Sequence, residues 1–329
     1  MTSTSERALT LRMLISIALL VLTAGGFVVA IWGVFVAVGL LFRLSRSTAT
    51  TLAIAPTAAV LLAVAFLEYR GSTTFERAAA ARPVDADEYP GVHAAVTRVA
   101  SMYGLPTPTV AISERRAPEA MVVGVRPSTT RLVLSTGTLE ALEEDELEAV
   151  IAHELAHVRN RDARVMTVVS APTVIATGLV LRSPNLAKRD LTIAIALAIV
   201  GLLGVVLTRA SVAVLSRTRE LAADRAAAEI TGSAAPLASA LRTLDRRIRE
   251  TPSEDLRKVR PVSVLSILPF ASHEGIEATT ATRSSESTVE PFPWSVRKPL
   301  ARRRRALFRT HPPTEKRLSL LAEYERENT

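Results

Sequence analysis

The chain has 329 residues, is 48% hydrophobic and carries a formal net charge of +8 at pH 7. It has no cysteine, which excludes disulfides and thiolate metal sites, so a metal ion here must be held by His, Asp or Glu. The length allows one large or two ordinary domains, and the missing cysteines are compatible with a reducing compartment.

Residues 13–42 form an uncharged apolar run that would be about 45 Å long as a helix, more than a hydrocarbon core of roughly 30 Å requires. A tilt, or a bend near Gly25 and Gly26, would absorb the excess. The run is too long for a cleavable signal peptide and lacks a small-residue cleavage site. Residues 52–67, 165–181 and 191–207 are shorter runs at the lower edge of spanning length, for which a buried core helix is the alternative. The runs fall into pairs, separated by short polar loops at 43–51 and 182–190. Each pair is predicted to be a transmembrane hairpin, over 1–70 and 165–208. Hairpins return the chain to its starting side, so residues 71–164 and 209–329 would share one side. Arg159, Arg161, Arg164, Arg209, Arg217 and Arg219 lie near span ends on that side, and the positive bias places it in the cytoplasm.

Between the hairpins, 83–90 reads as a linker or turn. Val92, Val96 and Val99 give 91–103 a helical period, stopped by Gly104-Leu105-Pro106. A strand begins at 109–112, and 120–125 and 131–135 read as two short strands joined by a turn at 126–129. After the second hairpin, 211–230 is predicted helical and stopped by Thr231-Gly232. Residues 236–249 form an amphipathic helix, and 271–293, rich in Ser, Thr, Glu and Pro, reads as a mobile loop. The predicted fold class is α+β and mostly helical: four transmembrane helices in two hairpins, and a two-part domain, 71–164 with 209–329, carrying a small β-sheet. The basic tract at 302–305 fits anionic lipid headgroups or a solvated helix face, and no nucleic-acid partner is expected.

The chemistry centres on His153-Glu154-Leu155-Ala156-His157. Spacing of four puts both imidazoles on one helix face, as zinc requires, with Glu154 placed to take a proton from a metal-activated water. The acidic run Glu143-Glu144-Asp145-Glu146 suits the N-terminus of this helix. Hydrolytic zinc takes three protein ligands. The best third candidate is Glu220, with Asp224 four residues on to accept a hydrogen bond from a ligand histidine. By pattern alone, an exposed pair salt-bridged to neighbouring arginines is the favoured reading. The intervening hairpin favours the site, because it brings the two helices back side by side near the membrane surface. His93 lies in an apolar helix and reads as structural, His273 falls in the loop, and Asp162 reads as a cap or ion-pair partner.

Residues 117–162 with 216–224 resemble the HtpX-like membrane zinc metalloproteases, relatives of the CAAX prenyl proteases. The matching elements are His153-Glu154-Leu155-Ala156-His157 with Asn160-Arg161-Asp162, the stretch Ser216-Arg217-Thr218-Arg219-Glu220-Leu221-Ala222-Ala223-Asp224, and Thr310-His311-Pro312-Pro313 ahead of Glu315-Lys316-Arg317-Leu318. The resemblance implies a zincin-like metalloprotease domain in which one Zn2+ per chain is held by His153, His157 and Glu220, with Glu154 as catalytic base. It implies cleavage of damaged or misassembled membrane proteins on the cytoplasmic side. It also aligns His311 with a motif close to the site, as a donor to the oxyanion; a cap on the last helix is the alternative. Glu119 stands where the family usually has asparagine before the strand expected to pair with substrate. Two rival functions are an intramembrane metalloprotease, disfavoured by the charge around the motif, and a proteolytically silent scaffold with a structural metal, disfavoured by Glu154.

Overall fold

The computed structural model describes residues 31–40, 42–62, 81–124, 130–166, 191–250 and 308–328, with scattered helical positions elsewhere. The predicted turn at 126–129, the predicted loop at 271–293 with His273, the tract at 302–305 and most of the apolar runs at 13–30 and 165–190 lie outside them. The chain divides into two compact units, Met1–Gly71 with Arg164–Thr218 and Ser72–Ala163 with Arg219–Thr329.

In the first unit, a helical run at Ile31–Leu40 is followed by α1, Arg46–Leu52. The loop predicted at 43–51 is therefore helical from Arg46 onward. The cause is local: the Ser45 side chain accepts from Thr48 N–H and caps the helix, while Arg43 turns the chain at φ 61. The turn packs back on the preceding helix. Trp32 Nε1 donates to Thr50 O at 3.1 Å, and a Cβ at Gly39 would lie 2.9 Å from that of Ala49. Later in the unit, Thr173 Oγ1 donates to Thr208 Oγ1 at 3.0 Å and Ala176 lies against Gly204. Among the described residues one helix is long and apolar enough to cross a membrane, the stretch Gly201–Thr231 of a longer helix. Leu191, Ile195, Ile199, Leu202, Leu203 and Leu207 of that helix are all more than half exposed. An apolar face this extensive is unfavourable in water and favourable against lipid.

The second unit is mostly helical with a small mixed sheet. Strands β1 (Ala81–Pro83), β2 (Thr109–Ser113), β3 (Ala120–Val123) and β4 (Arg131–Ser135) lie in the order β1-β2-β4-β3. β2 and β4 are parallel, while β1 pairs antiparallel with β2 and β3 with β4. The stretch predicted as a linker at 83–90 thus begins inside an edge strand. β3 is the other edge, in register Ala120 to Leu134 and Val122 to Leu132. Against the sheet pack α2 (Pro90–Met102), α3 (Thr136–Ala141) and α4 (Glu144–Arg159), followed by α5 (Leu191–Thr231), α6 (Ala235–Glu250) and α7 (Thr314–Asn328). α5 contributes to the first unit up to Thr218 and to the second from Arg219.

α4 sits at the centre. Residues 149–156 are all buried, so the helix has no solvent face over two turns. It touches α2, α6 and β3. Its start is fixed by a capping box, Glu143 with Glu146. At the far end, Asn160 closes the helix and Arg161, at φ 56, turns the chain away. α6 turns Leu237, Leu241, Leu244 and Ile248 into the same core. Glu325 of α7 receives Ser233 Oγ at 3.0 Å and Ala234 N–H at 2.5 Å, satisfying the N-terminus of α6.

One contact tests this packing. A Cβ at Gly137 would lie 2.0 Å from Arg116 O, whereas one at Gly91 would meet nothing within 4 Å. Gly137→Ala should destabilise the protein by about 1–3 kcal/mol or more, and Gly91→Ala, on an exposed helical turn, should be neutral or slightly stabilising. Thermal unfolding of the two purified variants checks this, and equal melting temperatures would refute the packing.

Candidate metal centre

Three donor atoms converge in the second unit. His153 and His157 lie one turn apart on α4, so their rings project from one face. Their Nε2 atoms are 3.3 Å apart. Glu220 on α5 meets both, with Oε2 3.7 Å from His153 Nε2 and Oε1 3.6 Å from His157 Nε2. Bonds of about 2.1 Å to a tetrahedral zinc put ligand atoms roughly 3.4 Å apart. The observed separations match that figure, and the donor set of two imidazoles and a carboxylate suits zinc. His153, His157 and Glu220 are the only such group among the described residues, and their ligand atoms lie within 4.8 Å of one another.

The other nitrogen of each ring meets an aspartate. His153 Nδ1 lies 2.9 Å from Asp224 Oδ1, and His157 Nδ1 lies 2.6 Å from Asp162 Oδ2. The His157–Asp162 pair is a hydrogen bond and the His153–Asp224 pair a close charge contact; a carboxylate at Nδ1 favours the proton there and leaves the Nε2 lone pair facing the convergence point. Glu220 and Asp224 share a face of α5, so one helix supplies both the third donor and the support for the first. Asp162 reaches His157 because Arg161 turns the chain just after α4 ends. Asp162 is the ion-pair partner the sequence suggested, here of Arg219, but its contact with His157 was not read; the signal available was an acidic residue five positions after the second histidine, immediately beyond the helix.

Glu154 is 1% exposed and one of its carboxyl oxygens has no hydrogen-bond partner. Burial pushes its pKa up to about 8, against the pull of His153, and the Val122 main chain of edge strand β3 hydrogen-bonds to it. His311, just ahead of α7, is 2% exposed with Nδ1 3.3 Å from Glu220 Oε2, and its Nε2 has no partner. Arg317 on α7 donates to Asp224 through Nε at 2.8 Å and through Nη2, while Arg219 on α5 reaches Asp162 at 2.8 Å. In the sequence Arg219 counted only toward the charge bias near a span end and Arg317 only as part of a matching motif, with no contact to the site assigned to either. An arginine four residues from buried Leu321, on the inner face of α7, was the available clue. His93 Nε2 donates to Val84 O at 3.1 Å, a structural contact between α2 and the residue that follows β1. Glu119 is fully buried before β3, with Oε2 3.2 Å from Arg115 Nη1 and Oε1 unpartnered. Burial raises its pKa to about 7 against the opposing Arg115 charge.

Histidines and carboxylates gathered in this way are the equipment of a metal-dependent hydrolase. Comparison with known proteins specifies which. Residues 86–325 match the model of peptidase family M48. The chain is 39% identical over 213 residues to protease HtpX homolog 1 of Streptomyces coelicolor, covering 62% of this chain and 70% of that one. It is 34% identical over 250 residues to protease HtpX homolog 2 of Methanosarcina acetivorans, covering 74% and 76%. A crystal structure of S. mikatae Ste24p aligns at 17% identity with a TM-score of 0.47, over 95% of this chain and 66% of that one. The chain belongs to peptidase family M48 and is a membrane metallopeptidase.

Protons and metal compete at His153. Burial disfavours its charged form, but Asp224 and Glu220 outweigh burial and raise its pKa to about 9. Without metal the ring therefore holds a proton at neutral pH, and a cation must displace it. Apparent zinc affinity should fall about tenfold per pH unit below 9. Competition with a chromophoric chelator at pH 7, 8 and 9 measures it, and a constant affinity would refute the coupling.

Proposed function

We propose that the protein is a membrane-bound zinc endopeptidase that hydrolyses peptide bonds of misfolded or damaged membrane proteins at the cytoplasmic face. The observation that carries this is the meeting of His153, His157 and Glu220 at zinc-ligand separations, with buried Glu154 in the same motif. A zinc ion held by these three residues supplies Lewis acidity and lowers the pKa of a water molecule toward about 7.

Glu154 is the general base: it takes the proton from that water and returns it to the leaving amine. Its elevated pKa suits the second transfer, and a nearby divalent charge favours the ionised form needed for the first. An extended substrate segment adds to the edge of β3, which aligns its scissile bond with Glu154. The Val122 contact to Glu154 supports that alignment. His311 donates to the oxyanion as it develops. In support, it lies next to Glu220 with a free ring nitrogen, more deeply buried than a helix cap needs to be.

The first unit anchors the enzyme in the lipid bilayer, in four spans arranged as two hairpins. The contacts of Trp32 with Thr50 and of Thr173 with Thr208 support the pairing, and the exposed leucines of α5 support the lipid surroundings. Arginines near the span ends favour a cytoplasmic catalytic unit.

Glu154→Gln should keep bound zinc and lose about 10²–10⁴-fold in kcat, and Glu220→Ala should lose the metal. Metal analysis of purified proteins together with cleavage of a model membrane protein, with and without chelator, measures both. Undiminished cleavage by Glu154→Gln would remove Glu154 from the mechanism. His311→Ala should lower kcat about 10²–10³-fold with zinc retained.

A further inference from the structure

We propose that Arg317 and Arg219 are positioning residues of the metal centre, each holding the aspartate that holds one ligand histidine. The inference rests on reading His153, His157 and Glu220 as the ligands.

Two parallel chains of contacts carry it. In one, His153 Nδ1 lies 2.9 Å from Asp224 Oδ1, and Arg317 grips both Asp224 oxygens, Nε to Oδ2 at 2.8 Å and Nη2 to Oδ1. In the other, His157 Nδ1 lies 2.6 Å from Asp162 Oδ2, and Arg219 Nη2 lies 2.8 Å from that same oxygen. Each histidine is therefore backed by an aspartate and each aspartate by a guanidinium. An aspartate alone can rotate about its side-chain bonds and lose its hold on the ring. A planar fork on both oxygens removes that freedom. It also supplies the counter-charge without which a buried carboxylate is costly.

The two chains are unequal. Arg317 is 1% exposed, and its Nη1 also lies 3.8 Å from Glu220 Oε2, so one side chain steadies two of the groups around the centre. Arg219 makes a single contact, and its Nε and Nη1 have no hydrogen-bond partner. Arg317 also lies 93 residues from Asp224 in sequence. The centre is thus completed from the C-terminal helix, and its affinity for metal depends on α7 being docked.

Arg317→Lys retains the charge and removes the fork. In the full-length protein in detergent, zinc affinity by chelator competition should fall about 10–100-fold, and the d–d absorption of the cobalt-substituted enzyme should change. The metal-free melting temperature should stay within a few degrees of wild type. Arg219→Lys, which can keep its one contact, should lose less. Arg82→Lys, in an exposed pair with Glu88 on edge strand β1, serves as the control and should lose nothing. Asp224→Asn should weaken zinc like Arg317→Lys, and the double variant should be no weaker than the worse single; additive losses would overturn the chain of contacts. If Arg317→Lys does not fold, the same cycle with Arg219→Lys and Asp162→Asn decides. Unchanged affinity and spectrum in Arg317→Lys would sink the inference while leaving the ligands intact. Wild-type protein that binds zinc no better than Glu220→Ala would sink the ligand reading itself.

Discussion

Electron-pair donors facing one another at close range repel unless a positive charge lies between them. Two imidazole nitrogens 3.3 Å apart, with a carboxylate oxygen less than 4 Å from each, meet that condition through a proton or a metal ion. The rest of the second unit keeps these groups in place against their own repulsion. Asp224 and Asp162 fix the ring faces, Arg317 and Arg219 fix the aspartates, and burial removes the water that would otherwise screen them. The same low dielectric that makes the arrangement costly without a cation makes it tight with one.

Burial here comes from a simple feature of α4. Alanine, valine, isoleucine and leucine surround the two histidines on every side of the helix, so the helix packs in the middle of the unit. The two histidines placed there meet carboxylates on α5 and just beyond α4, and Asp224 is held in turn from α7. Edge strand β3 closes the remaining side and keeps one edge unpaired within the sheet. The Glu154 carboxyl is buried beside this strand, and burial raises its pKa against the opposing pull of His153.

α5 combines two environments in one helix. Its first half carries exposed leucines and isoleucines, and its second half turns Ala223, Ala227 and Ala228 into the core of the catalytic unit. Small side chains allow close helix packing, which lets Glu220 and Asp224 reach the histidines.

The shared face of His153 and His157 and that of Glu220 and Asp224 could be read from the chain because helical periodicity is local: residues four apart share a face wherever the helix sits, whereas the meeting of the two faces was expected only from the intervening hairpin and the family resemblance. The strands read at 109–112 and 131–135 and the helices read at 91–103 and 236–249 fall within a residue of those observed, because their signals are local too. Strand β1 was not, since Ala81 to Pro83 has no period of its own and becomes a strand only by pairing with β2. Nor was the helix at Arg46–Leu52, which owes its start to one serine cap inside a polar stretch. Asp162, Arg219 and Arg317 are ordinary charged residues in sequence. Their roles arise from contacts across the fold, the longest spanning 93 residues, and no local pattern encodes which buried carboxylate a distant guanidinium will meet.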